Sequence, residues 1–359
     1  MLRTFSAMAT GLLLLSAVPA GAASLDSKAI VSRSVADFVR PGYVRFHDAT
    51  TALDKAAASL CKAPSEASLE AARTAFSSAI DSWSQIEIIR FGPVTEKNRL
   101  ERILFWPDRK SIGLKQVQAA LAERDRTASD AKELAGKSVA MQGLGALEFV
   151  LYGTGAEELS GQAGAFRCAY GAAISKNLDD MAGELAAEWA GPTGFSAKWQ
   201  GFGDQNPLYR NADEALTELL EVFVNGLELI RDQRLGGFLG DTENADKPKQ
   251  ALFWRSGKTA DALKGNMEGL KALFDASGIG PALPEPSRWI AQSANFELGN
   301  AINAAEAAKG PVDAALANPE KRGKFAYFGV VTSSLSEIFG TRLATELGLT
   351  AGFSSLDGD

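Results

Sequence analysis

The chain is 359 residues long, with 37 Lys and Arg against 44 Asp and Glu, a net charge of −7 and 46% hydrophobic residues. Such a composition is globular, allows two domains and excludes wholesale disorder, while the acidic balance argues against a nucleic-acid partner, which needs clustered excess Lys and Arg. His47 is the one histidine, which rules out any chemistry needing two imidazoles, a His-x-x-x-His zinc site included.

Residues 1–22 read as a signal peptide. Arg3 supplies the positive start, Ala9 to Val18 the apolar run, and Ala20-Gly21-Ala22 a small-x-small cleavage site. No later segment has eighteen consecutive apolar residues, so a transmembrane segment is not expected in the mature chain. Export makes Cys61 and Cys168 candidates for a disulfide, with two buried thiols as the alternative.

The remainder reads as helix after helix. An amphipathic N-terminal helix carries Phe46, His47 and Asp48, where a solvated or packed histidine is the ordinary reading. From Ser68 to Arg90, apolar residues fall at Leu69, Ala72, Phe76, Ile80 and Trp83, one stripe at steps of three and four; Pro64-Ser65 starts the run and Gly92-Pro93 ends it. Val139 to Tyr152 is apolar nearly all round, and Arg167 to Trp189 follows. Leu208 to Ile230, Thr259 to Phe274, Arg288 to Ala308 and Tyr327 to Leu347 complete the set. No alternating Val/Ile/Thr run predicts a sheet, so the fold class is all-α. Gly and Pro cluster at 191–207, which divides the chain into helical halves at 23–200 and 201–359. The irregular stretch from Leu235 to Pro248 is long for a connection and is a candidate functional loop.

Two carboxylates carry the functional signal. Glu87 continues the buried stripe through Ile80 and Trp83, and Glu148 lies among Leu144, Gly145, Leu151 and Tyr152 on a helix with no polar face. An isolated buried carboxylate costs several kcal/mol, so each must be protonated, paired with an arginine or bound to a metal. Arg90, Arg102 and Arg255 are candidate partners, and an interior Glu–Arg pair is the plain alternative to a ligand site.

Four segments in order resemble the imelysin family. These are Arg90-Phe-Gly-Pro93 with Arg102 to Asp108, then Gly143-Leu-Gly-Ala-Leu-Glu148-Phe149, then Arg255-Ser256 with Asn266 to Leu270, and the terminus from Leu347 to Asp359. The resemblance implies two helical, four-helix-bundle-like domains with a site between them, export to the periplasm of a Gram-negative bacterium, a link to iron uptake, and a metallopeptidase label. The family's Gly-x-His-x-x-Glu signature keeps its Glu here as Glu148, but Gly145 stands where the His would be. A zinc peptidase wants three protein ligands and usually histidines. The expectation is therefore a binding protein that does no covalent chemistry. An oxygen-only site on Glu148 and Glu87, with Asp108, would suit iron(III), calcium or a similar cation. Gly145, Arg102, Trp106, Asp108, Arg255 and Ser256 would line it. Arg255-Ser256 reads as a helix start able to hold an anion, and Gly143 and Gly145 as places for close helix packing or for a ligand. Envelope iron-uptake proteins are the expected partners, and the alternatives are a metallopeptidase using Glu148 and a structural adaptor for another envelope protein.

Overall fold

The computed structural model describes residues 25–349; the leader expected over 1–22 and the terminal segment 352–359 lie outside them. Among the described residues every regular element is helical. None of these helices is long and apolar enough to cross a membrane.

The principal helices are α1 (Ser27–Arg33), α2 (Arg40–Lys62), α3 (Glu66–Ile86), α4 (Ile112–Glu123), α5 (Gly143–Tyr152), α6 (Ala165–Ala190), α7 (Ala212–Glu228), α8 (Thr259–Ser277), α9 (Arg288–Ala307) and α10 (Pro319–Glu337). Their ends follow local chemistry. Ser65 and Ser68 form a reciprocal capping box at the start of α3, and Asn211 and Asn318 accept N–H bonds at the starts of α7 and α10. Gly278 ends α8 at φ 69°, a left-handed conformation that suits glycine.

Three of the helices run on through a wider π turn, at Ser34–Val39, Leu229–Leu235 and Ile338–Leu343. A 3.6-residue pattern does not reveal such turns, each of which inserts a residue and rotates the helix beyond it. The expected Leu208–Ile230 helix ends inside one of them, and the expected Tyr327–Leu347 helix crosses another.

The first half packs α2 against α3 and α6, with α5 laid on α6; in the second half α9 packs against both α8 and α10. The halves meet chiefly where α3 lies on α8. That seam is tight because α8 presents glycines: a Cβ at Gly269 would stand 2.1 Å from the Gln85 carbonyl oxygen, and one at Gly265 2.7 Å from the Ser84 Cβ. The expected division near residue 200 falls in the irregular chain on either side of a short helix, Phe195–Gln200. Helix α1 and the π turn after it pack on α7 and α8, so the chain begins on the second bundle before entering the first. Burying Ile30, Val31 and Val35 drives this crossing, and a single apolar core runs through both halves.

Cys61 of α2 and Cys168 of α6 are joined as a disulfide. The bond spans 107 residues of sequence, and closing a loop of that size stabilises the fold by about 4–5 kcal/mol in the chain-entropy view. Urea unfolding with and without reductant, and of a C61S/C168S variant, should show a loss approaching that figure. Superimposable unfolding curves would contradict it.

Candidate binding cavity between the bundles

Helix α5 is short and almost wholly buried, so its backbone ends must be satisfied inside the protein. At its start, Gly143 has φ 76°, and a Cβ there would sit 2.4 Å from the carbonyl oxygens of Arg102 and Ile103. Only glycine fits that position. The Arg102 guanidinium holds the same end, donating to the Gln142 side chain (3.1 Å) and to Asn177 of α6 (2.9 Å). At the far end, Arg167 donates to the carbonyls of Phe149 and Val150, and Arg73 to that of Leu151. These two cations satisfy the last carbonyls and complement the negative end of the helix dipole.

Glu148 is thereby carried to a fixed place, 4% exposed. Its Oε1 accepts two hydrogen bonds from Ser256, one from the backbone N–H (2.9 Å) and one from the hydroxyl (2.8 Å). No such bond to Oε2 occurs among the described residues. Burial pushes the carboxyl above the usual glutamate range, and the Ser256 bonds only partly oppose it. At the expected anion site, the Ser256 donors are thus taken up by the carboxyl of Glu148. Ser256 is also not a helix start, since α8 begins at Thr259. It sits in a turn that contains Phe253 at φ 56° and is tied by the Thr259 hydroxyl to the Leu252 carbonyl.

Beside Glu148 lies a cavity of about 420 Å3 whose walls come from both halves. Gly145 lines it. A Cβ at Gly145 would meet only the Phe105 carbonyl, at 3.8 Å. So of the two glycines singled out in the sequence, Gly143 serves packing and Gly145 leaves open volume. Trp106, Asp108 and Arg255 also line the cavity, and from the second half come Asp232, Gln233, Lys247 and Lys249. Those four were not singled out in the sequence. The irregular Leu235–Pro248 stretch pointed to Lys247, but the π turn that presents Asp232 and Gln233 has no sequence signal.

Glu87 does not line this cavity. It caps α3, where its carboxylate receives Arg234 from the second π turn (2.8 Å) and Asn266 of α8 (2.7 Å); the same Asn266 amide also donates to the Ser84 carbonyl. Glu87 and Arg234 are both buried, and the guanidinium lies 4.7 Å from the centre of the Trp106 ring. The interior Glu–Arg pair is thus present, with a partner other than Arg90, Arg102 or Arg255. Arg102 likewise stays on the α5–α6 side, holding the helix and not the cavity.

This donor set does not fit a resident metal ion. Among the described residues no three His, Cys, Asp or Glu side chains come together as a metal site. The expected trio is dispersed by other partners. Glu87 is held by Arg234, and Asp108 receives the N–H groups of Ile112 (2.7 Å) and Leu114 (3.1 Å) at the start of α4. Glu148 is held by Ser256. His47 lies elsewhere, 3.5 Å from Asp179 between α2 and α6.

The imelysin family model matches residues 39–336. The chain belongs to the imelysin family. It is 26% identical over 318 residues to iron-regulated protein A of Synechococcus elongatus, a match covering 82% of this chain and 79% of that protein. Its fold resembles the crystal structure of an imelysin-like protein from Psychrobacter arcticum, with a TM-score of 0.73 at 20% identity, covering 92% of this chain and 99% of that one. A chain from Parabacteroides distasonis aligns at a TM-score of 0.71 and 14% identity, over 87% and 94% of the two chains. In this imelysin the residue three before the signature glutamate is the cavity-lining Gly145.

The paired and unpaired carboxylates should respond differently to substitution. E87A leaves Arg234 charged in the interior and should cost about 3–5 kcal/mol in urea unfolding, whereas E87M/R234M, which removes both charges, should cost less. Glu148 behaves oppositely because its folded-state pKa is raised. The folded protein then holds a proton that the unfolded chain releases, so stability falls as pH rises from the ordinary glutamate value to the native one. E148Q lacks this loss. It should match the parent below about pH 4 and exceed it at neutral pH, and parallel pH–stability curves would show that Glu148 carries no such cost.

Proposed function

We propose that this imelysin is an exported binding protein of iron acquisition, which holds a small ligand in the cavity between its helical halves. One observation carries the reading: open volume at Gly145, beside a buried and locked Glu148, between walls from both halves. Its size is in the range that small ligands occupy. The iron link is drawn from the curated relative, whose name is iron-regulated protein A, and the periplasmic location from the leader-like residues 1–22.

On this reading iron is cargo. It arrives inside a ligand, since the carboxylates expected to hold a bare cation are engaged elsewhere. Envelope iron-uptake proteins are the partners expected to supply or receive it. A zinc peptidase centre on Glu148 would need further protein ligands, and no group of three such side chains occurs among the described residues.

Filling the cavity without disturbing the fold tests the reading. Gly145→Trp has room for its Cβ and places an indole in the open volume. Deleting the gene should slow growth under iron limitation, and the wild-type chain should restore it. G145W, accumulating to the same level in the periplasmic fraction, should not. Equal rescue by both would remove the cavity from iron acquisition.

A further inference from the structure

The charges around the cavity are unequally engaged. Its three carboxylates all have partners: Asp108 caps α4, Glu148 is held by Ser256, and both oxygens of Asp232 accept from Arg231. Its four cations, Arg109, Lys247, Lys249 and Arg255, have no carboxylate within 4.0 Å among the described residues. A wall of this kind presents net positive charge to whatever enters.

Arg255 is the cation best built for recognition. It is half-buried, with its guanidinium 4.4 Å from the centre of the Trp254 ring and 5.3 Å from that of Phe149. Stacking fixes the plane of the fork, and a fixed fork suits a planar carboxylate through two parallel N–H bonds. The Lys249 ammonium lies 6.0 Å from the same Trp254 ring, so two cations converge on one indole. Glu148, the neighbouring carboxyl, is biased by burial towards its protonated form. In that form it donates a hydrogen bond and does not repel an anion.

We propose that the cavity binds a small polycarboxylate anion, gripped by Arg255 with Lys247 and Lys249, and that iron(III) enters only as the chelate of such an anion. The proposal rests on the reading that this cavity is the binding site. Iron(III) prefers hard oxygen donors. An anion that brings those donors itself explains how an iron-linked cavity can lack a set of protein ligands.

The test uses calorimetric titration of the full mature chain with citrate, with iron(III)–citrate, with inorganic phosphate and, anaerobically, with iron(II) chloride. Citrate and its iron(III) complex should bind saturably and weaken with added salt, while phosphate and iron(II) should bind at least tenfold more weakly or not at all. R255Q should lower citrate affinity roughly tenfold or more, and the exposed pair K247Q/K249Q roughly threefold to tenfold. K176Q, at an exposed position of α6 outside the cavity lining, should leave it unchanged. The lysine variants decide the matter if R255Q does not fold. Citrate affinity that survives all the cavity variants overturns the proposal, as does phosphate binding as tight as citrate. Binding of iron(II) that is lost in E148Q also overturns it, by showing a cation site. If no anion binds while G145W still fails to restore iron-limited growth, the polycarboxylate assignment falls and the cavity's role in iron acquisition stands.

Discussion

The buried cluster of Glu87, Arg234 and Asn266 is the interaction on which the arrangement of this molecule depends. Each residue comes from a different element, the end of α3, the π turn after α7 and the middle of α8. Their contacts join the two halves where the glycines of α8 let it approach α3 most closely. Taking two charges out of water is costly, and the ion pair only offsets that cost when the geometry is good. Such a pair contributes specificity more plainly than stability. An apolar seam could slide by a helical turn, but one that must place Arg234 against Glu87 cannot. Arg234 then underlies Trp106, a residue of the cavity wall, so the register of the seam sets the shape of the cavity.

The other half of the cavity depends on α5. An apolar helix of ten residues has little helical stability of its own. Here it is held by three arginines, Arg102 before its first turn and Arg73 and Arg167 at its last. That support makes the helix a rigid carrier, and a rigid carrier is what allows a carboxyl to be kept at 4% exposure. Glu148 has no cation within 4.0 Å among the described residues, and the two bonds from Ser256 and the nearby charge of Arg255 only partly offset its burial. A group held at such a cost in an otherwise well-satisfied interior is a mark of function. The pattern contrasts with Glu87, whose carboxylate is neutralised in place.

Much of this was legible in the sequence, and the remainder was hidden for physical reasons. The helices announce themselves because amphipathic stripes at steps of three and four survive in any packing arrangement. The disulfide pairing followed from there being two cysteines and an expected leader. Glu87 and Glu148 were found because an acidic residue within an apolar stripe is conspicuous. Their partners were not, because pairing is set in three dimensions. Arg234 lies 147 residues from Glu87, and nothing in its local sequence distinguishes it from Arg231. The π turn that orients it adds a residue to a helix without altering composition. Gly143 and Gly145 looked equivalent, two small residues in one helix, yet backbone contact fixes the first and empty space adjoins the second.

The scarcity of histidine has a structural counterpart. A cation site needs donors that are free, and in this molecule the carboxylates that might have supplied them each have another task. Glu87 joins the halves, Asp108 starts a helix, and Glu148 closes a turn. Placing an imidazole at position 145 would add one nitrogen beside Glu148, where no group of three His, Cys, Asp or Glu side chains comes together among the described residues. It would also occupy volume that is otherwise open to a ligand. Glycine at 145 and the unpaired cations of the opposite wall are therefore consistent with one another. Both favour a guest that carries its own negative charge, and the first of them removes the group that would compete with that guest for a metal.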